Sequence, residues 1–183
     1  MNRFFFFILN FMILINGSLI FVPISFTAER VPTKIIIRVV SKDAKVIGSG
    51  VGGAWVRIKN LETGEILAQG KQEGRTGDTD RIMVQPHWRG ETFYGTSDAA
   101  FFQAEIPLDR PTPAEIHAEA PLGYPHNIQK GSKTLTLIPG KHILGEGIII
   151  ELNGLIVNIL SPLTKERLKK GEEVFVRAEV RML

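Results

Sequence analysis

Short runs of β-branched and alternating residues, each closed by turn residues, recur along this chain and constrain its fold more than any other feature. In the run 54–60, AWVRIKN, residues Ala54, Val56 and Ile58 would share one face of a strand. This alternation is typical of antiparallel strands with one face on the core and the other in water. Ten strands are predicted, over residues 33–40, 54–60, 65–70, 81–84, 100–106, 114–120, 133–138, 147–152, 155–160 and 173–180.

Helical periodicity is weak throughout. After residue 28 no run shows a convincing 3.6-residue apolar period, and the nearest candidate, 162–173, allows one helical turn. Many short strands with connections of a few residues predict an all-β fold, an antiparallel Ig-like β-sandwich.

A glycine-rich stretch at residues 48–53 raises the alternative of a nucleotide-binding loop. Gly48, Gly50 and Gly53 fit the spacing G-x-G-x-x-G. That fingerprint requires a helix directly after its last glycine, because the helix N-terminus receives the pyrophosphate. Here an alternating run follows Gly53 instead. We therefore predict a loop between the first two strands and no nucleotide site.

The N-terminal residues 1–28 have the order of a secretory signal. One positive charge, Arg3, precedes a long apolar run, and a small residue, Ala28, ends the segment. This predicts an exported protein that is periplasmic, extracellular or on the cell surface. An uncleaved N-terminal anchor is an alternative, and a buried core helix is another. A lipoprotein is excluded, because the chain has no cysteine to carry the lipid.

Charge and cysteine content exclude several classes of protein. The net charge is +3, and removal of Arg3 would lower it by one, which is too little for an electrostatic nucleic-acid binder. The absence of cysteine removes disulfides, thiol nucleophiles and thiolate metal sites. Stability must then come from the core, and an exported chain without disulfides fits a bacterial or archaeal envelope.

Several short motifs occur in the order seen in carboxypeptidase-regulatory-like domains. These are GAWV at 53–56, a Thr63-Gly64 turn, AEAPLGYP at 118–125 and LIPGKHILGEGIIIEL at 137–152. Over roughly 33–152 the chain resembles these domains, which are also called transthyretin-like. The resemblance implies a transthyretin-like β-sandwich over 29–153.

The chain also departs from that family. A Thr-Asp-x-x-Gly turn after the second strand is missing, and residues 85–99 form a long excursion. Enzymatic relatives that hydrolyse 5-hydroxyisourate end in a Tyr-Arg-Gly-Ser-type tail, which this chain lacks, so the resemblance does not imply that activity.

The C-terminal segment 154–183 reads as two further strands joined by a polar connection. It resembles the first two strands of a bacterial Ig-like repeat. Two strands cannot bury their own apolar face. Either they add to the preceding sandwich, or they begin a second Ig-like domain.

Two groups of residues are candidate metal ligands. Glu115, His117 and Glu119 would point to one face of a strand, with about 7 Å between neighbours, and could bind zinc or another divalent metal. Asp78 and Asp80 lie in a glycine-containing loop, with the spacing that begins a calcium site. The alternatives are an exposed strand face of mixed charge and a solvated turn.

The segment 86–96, PHWRGETFYGT, is the strongest candidate for ligand binding. It contains His87, Trp88, Arg89 and Tyr94, and exposed Trp and Tyr beside Arg suit a binding surface. Sugar stacking would use the same residues. The alternative is that Trp88 and Phe93 fold back and plug one end of the sandwich.

These features together predict a non-catalytic structural or adhesion β-sandwich module of a secreted or cell-surface protein, with no cofactor. The expected partners are other domains or proteins of the cell envelope, with no nucleic acid, and membrane contact only through an uncleaved N-terminal segment. The alternative is a carbohydrate- or metal-binding accessory module of an extracellular enzyme, with polysaccharide as a partner. A third, weaker interpretation is a catalytic transthyretin-like domain, which requires some of His87, His117 and His142 to converge.

Overall fold

A computed structural model describes residues 29–42, 44–163 and 165–183, and the predicted signal sequence 1–28 lies outside this part of the chain. The described residues form nine strands, two 3-10 turns and a short helix, α1, so the all-β prediction is confirmed. The strands are β1 (Val31–Ser41), β2 (Ala54–Asn60), β3 (Ile66–Gln72), β4 (Phe102–Leu108), β5 (Thr112–Ala120), β6 (Gln129–Leu137), β7 (Ile143–Leu152), β8 (Leu155–Ser161) and β9 (Arg177–Met182).

Seven of these strands form two sheets. A three-stranded sheet has the order β4-β1-β7, and a four-stranded sheet has the order β3-β2-β5-β6. All pairings in the four-stranded sheet are antiparallel. In the other sheet β4 is antiparallel to β1, whereas β7 is parallel to it. The expectation of purely antiparallel pairing is therefore wrong at β1 and β7, because their long connection does not impose the direction of a hairpin.

The two sheets share one hydrophobic core. Ile35 and Ile37 of β1 belong to the same buried cluster as Val56 and Ile58 of β2 and Ile116 of β5. Each of these five side chains is fully buried, and burial of one such side chain contributes about 1.5–3 kcal/mol. The alternation predicted for 54–60 is thus confirmed, and the charged side chains of Arg57 and Lys59 face outward.

The glycine stretch is a loop, as predicted. After β1, a 3-10 turn over Ser49–Val51 leads through Gly52 and Gly53 directly into β2, with no α-helix after the last glycine. The predicted hairpin turn at Gly64 is also confirmed, since this residue has a φ of +76° between β2 and β3.

The strand predicted over residues 81–84 is wrong, because residues 81–83 belong to helix α1 (Thr79–Met83) and Val84 is its C-cap. The Asp78 carboxylate accepts a hydrogen bond from the Arg81 N–H at 3.1 Å and caps the helix. Ile82 is its buried residue, so one apolar side chain suffices to dock this single turn. A local cap therefore overrides the weak strand pattern.

The C-terminal strands β8 and β9 form a separate two-stranded ribbon. Its links to the rest of the protein include a hydrogen bond from the Arg181 Nη1 to the Tyr124 hydroxyl at 3.2 Å and the buried side chain of Ile156. The strand predicted at 173–180 begins later, at Arg177. One face of the ribbon is apolar and half exposed; it consists of Leu155, Val157, Ile159, Val180 and Met182.

We expect a double replacement on this ribbon face to remove a hydrophobic surface without destabilising the core. Val157 and Val180 are paired across the two strands and are more than half exposed on average, so Val157→Ser with Val180→Ser should change the free energy of unfolding by less than about 0.5 kcal/mol. Binding of a hydrophobic dye such as ANS should fall clearly. Val84→Ser, at an isolated exposed valine outside the ribbon, is the control and should leave dye binding unchanged. A large loss of stability in the double variant would mean that this face is packed.

Candidate functional site

The aromatic loop before β4 is exposed at its tip. Trp88 is 74% exposed, so the alternative in which its ring plugs the end of the fold is wrong. Phe93 is partly buried, and its ring stacks on that of His87 with centroids 4.2 Å apart and planes 8° from parallel. The loop therefore presents the Trp88 indole to solvent, while His87 and Phe93 stack on each other.

Several polar contacts hold this loop, some within it and some to neighbouring elements. Arg81 Nη2 lies 3.4 Å from Glu91 Oε1, and the Trp88 N–H donates to Glu91 Oε2 at 3.4 Å. At the other end of the loop, the Tyr94 N–H donates to Glu146 Oε1 at 3.2 Å. These contacts hold the backbone on both sides of the exposed indole, which lowers the entropy lost when a partner binds.

A buried arginine supports the point where the loop is attached. Arg38 of β1 is 4% exposed, and its Nη1 donates to the backbone oxygens of Gly145 and Glu146 at 2.5 and 2.6 Å. Burial lowers the pKa of Arg38, and the nearby Glu146 carboxylate opposes that shift. The Arg38 guanidinium also lies 5.6 Å from the centroid of the Phe101 ring. Sequence reasoning missed this residue, although an arginine inside the apolar run IIIRVV was a signal.

The predicted ligand-binding residues occupy different positions in the loop. His87, Trp88 and Arg89 are exposed, whereas Tyr94 is partly buried and packs against the small cluster formed by Val40, Val46, Ala99 and Ala100. An open cleft of about 330 Å³ is lined by Arg81, Gln85, Pro86, His87, Trp88, Glu91 and Phe93. Arg89 and Tyr94 lie outside that lining.

The predicted metal ligands of β5 lie on the outer face of the four-stranded sheet. His117 Nε2 is 3.2 Å from Glu119 Oε1, and Lys130 Nζ is 2.9 Å from the same oxygen. Hydrogen bonds from Lys130 and then His117 lower the pKa of Glu119. Glu115 is paired in register with Lys59 on one side and Thr134 on the other. The Glu119 carboxylate thus already has two partners, the Lys130 ammonium group and the His117 imidazole.

The predicted calcium ligands lie at the start of helix α1 and not in an open loop, and both have structural roles there. The Asp78 side chain caps helix α1, and Asp80 Oδ2 accepts a hydrogen bond from Gln85 Nε2 at 3.0 Å. Over the described ranges, no three histidine or acidic side chains converge as a metal site requires. Metal binding at either place stays a prediction.

Sequence reasoning did not bring Trp55 into any site. β2 and β5 are adjacent, and Trp55 is in register with Glu119 while Arg57 is in register with His117. The alternation of each strand predicts that these side chains point outward. It does not predict that β2 pairs with β5, because the two strands are far apart in the chain. The pairing of β2 with β5 therefore puts Trp55 next to Glu119 and on the same face as His117.

No family model, curated protein or solved structure matches this chain significantly. Fold and site geometry together define an all-β protein with two sheets around one core, an exposed aromatic loop and a polar outer face. Within the described ranges no helix is both long and apolar enough to cross a membrane.

Proposed function

We propose that the protein is a non-catalytic structural or adhesion module, with an Ig-like or transthyretin-like sandwich, that is exported to the cell envelope. It contacts its partner there, another envelope protein or domain, through the loop 86–96. The observation that carries the proposal is Trp88, which is 74% exposed on a loop held by Glu91 and Glu146. A large rigid ring that costs little entropy to immobilise is the usual anchor of a protein interface.

The distribution of histidines supports a non-catalytic role. His87 is in the aromatic loop, and His117 is on the outer face of β5. His142 precedes β7, and its Nδ1 accepts a hydrogen bond from the Lys34 N–H at 3.1 Å. An enzymatic interpretation needs some of these imidazoles to share one site, and they belong to three separate elements with different partners.

We expect Trp88→Ala to remove binding and leave stability almost unchanged. Because the ring is mostly in solvent, its loss should alter the free energy of unfolding by less than about 0.5 kcal/mol. Loss of a central aromatic contact costs about 2 kcal/mol or more in binding, which is roughly thirtyfold in affinity. The measurement is binding of the fluorescently labelled chain to envelopes isolated from the producing cells, with a thermal unfolding curve for each variant.

Val84→Ala provides the matched control for that experiment. Val84 is 72% exposed and lies two residues before the loop 86–96, so its truncation removes exposed apolar surface without touching the aromatic tip. Equal envelope binding by wild type, Val84→Ala and Trp88→Ala would contradict the proposed contact. A loss of several kcal/mol in the Trp88→Ala unfolding curve would instead make the ring a structural element.

A further inference from the structure

The outer face of the four-stranded sheet places one aromatic ring among fixed polar groups. Strand register sets Trp55 between Lys71 and Glu119 in one row, and Arg57 between Gln69 and His117 in the next. We call this surface the Trp55 face; it consists of Trp55, Arg57, Gln69, Lys71, His117, Glu119, Lys130 and Ser132. Trp55 is partly exposed, and it is the only Phe, Tyr or Trp in these four strands.

The dimensions of this face suit an extended ligand. Adjacent strands are about 4.8 Å apart and alternate residues on one strand about 6.7 Å apart, so four strands span roughly 14 Å. Side chains stand nearly perpendicular to a sheet, so the residues of the Trp55 face project to one side of it. A linear chain of rings can therefore lie across it, whereas a compact small molecule would find no enclosing pocket.

The polar groups around the ring are held by their neighbours. Arg57 Nε donates to Gln69 Oε1 at 3.3 Å, and Lys130 Nζ lies 2.9 Å from Glu119 Oε1. His117 Nε2 lies 3.2 Å from the same carboxylate oxygen. Because the pKa of Glu119 is lowered, this carboxylate remains an acceptor at neutral pH. Donors and acceptors are thus positioned before any ligand arrives.

Two of the three cations on the Trp55 face have a carboxylate partner, and the third, Arg57, is hydrogen-bonded to Gln69. Lys130 pairs with Glu119, and Lys71 pairs with Glu73 at 2.8 Å. Lys59, just beyond the face, is in register with Glu115. A nucleic acid would require a basic surface, and a protein interface would require an apolar core of several residues. Neither is present on this face, whose chemistry is one ring surrounded by hydrogen-bonding groups.

We propose that the Trp55 face binds a neutral polysaccharide. The C–H face of a sugar ring is apolar and stacks on the indole of Trp55, while its hydroxyl groups both donate and accept hydrogen bonds. Arg57 supplies donors, Glu119 supplies acceptors, and Gln69 supplies both. The assignment rests on the proposed non-catalytic binding function and adds to it a ligand class and a second surface.

The chain has two tryptophans, one on each proposed surface, so tryptophan fluorescence can follow ligand binding at each surface separately. In Trp88→Phe, Trp55 is the only indole and its fluorescence reports on the sheet face. In Trp55→Phe, Trp88 is the only indole and reports on the loop. We would titrate each variant of the full chain with soluble β-glucan, xylan, galactomannan and starch. At least one of these should change the emission of Trp55 and leave that of Trp88 unchanged.

A matched pair of glutamine variants tests the polar half of the site. Gln69 and Gln103 are both exposed strand residues, but Gln103 lies on β4 in the other sheet. Gln69→Ala and Trp55→Ala should each weaken binding at least tenfold by affinity electrophoresis, and Gln103→Ala should not. Affinity should change less than twofold between 50 and 500 mM NaCl, because a neutral ligand releases no counterions.

Three outcomes would overturn the assignment. The first is that none of the four polysaccharides changes the emission of Trp55. The second is equal weakening by Gln69→Ala and Gln103→Ala. The third is a response of Trp88 alone, which would place the saccharide at the loop. Failure of Trp55 to respond does not affect the envelope-binding result for Trp88, so failure of the polysaccharide assignment can be distinguished from failure of the proposed function.

Discussion

Replacing Gln72 with alanine is expected to lower the free energy of unfolding by about 3 kcal/mol, although Gln72 belongs to neither proposed binding surface. This side chain is fully buried at the end of β3. Its Oε1 accepts a hydrogen bond from the Val39 N–H at 2.7 Å, and its Nε2 donates to the oxygens of Val39 and Ile47 at 2.9 Å each.

The physical reason lies in the pairing of β1. β4 pairs with β1 only as far as Ile37, while β7 pairs with its other edge as far as Ser41. Beyond Ile37 residues 45–47 meet β1, through the Val40–Val46 bridge and a hydrogen bond from the Ile47 N–H to Val39 O at 3.0 Å. The Gln72 amide supplies the partner of the Val39 N–H. Truncation leaves the Val39 N–H and the Ile47 oxygen buried without these partners, and each such group costs about 1–3 kcal/mol.

Chemical denaturation of Gln72→Ala and Gln69→Ala measures this effect. Gln69 lies on the same strand, but its side chain is exposed, so its truncation should cost less than about 0.5 kcal/mol. Gln72→Leu keeps the volume and removes only the amide, and it should still cost at least about 2 kcal/mol. Similar stabilities for wild type and Gln72→Leu would show that the amide has no net stabilising role.

Gly52→Ala should destabilise the protein by about 3 kcal/mol or more. Gly52 has a φ of +89°, which costs about 1–2 kcal/mol for a residue with a side chain, and an added Cβ would lie 2.1 Å from the Gly123 nitrogen. The clash involves backbone, so the two loops must separate. Separation breaks the hydrogen bonds from the Gly123 N–H to Val51 O at 2.9 Å and from the Leu122 N–H to Gly53 O at 3.1 Å.

Gly50→Ala is the control, because Gly50 lies in the same loop with nothing within 4 Å of an added Cβ. It should leave stability within about 0.5 kcal/mol of wild type, or raise it slightly by restricting the unfolded chain. Thermal unfolding of both variants, followed by circular dichroism, measures the difference. Equal effects of the two replacements would contradict a close approach of the two loops at Gly52.

Features that depend on neighbours in the chain were predictable. The alternation in β2 needs only the period of a strand, and the turn at Gly64 needs only a residue that tolerates positive φ. The glycine loop was recognised as a loop because the next residues alternate, which is also a local observation. The helix at 79–83 shows the limit of this approach, since the Asp78 cap competed with a short β-prone run and prevailed.

Features that depend on distant parts of the chain were not predictable. The parallel pairing of β1 with β7, the Gln72 bridge and the burial of Arg38 each join segments separated by twenty-five residues or more. Trp55 and His117 were both placed outward by their strands, but their common face depends on β2 lying beside β5. The site at residues 86–96 was visible as composition, yet the exposure of Trp88 was not.

The sequence by itself determined the all-β class, the inward and outward side chains of the strands, and the positions where glycine must turn the chain. These follow from backbone sterics and from a strand period of two residues, which act over a few neighbouring positions. Only the tertiary structure decided which strands pair, that Trp88 is in solvent and that Trp55 lies beside Glu119. Those outcomes depend on how much apolar surface is buried and how backbone groups are paired over the whole chain. The sequence of a single local segment does not determine either quantity.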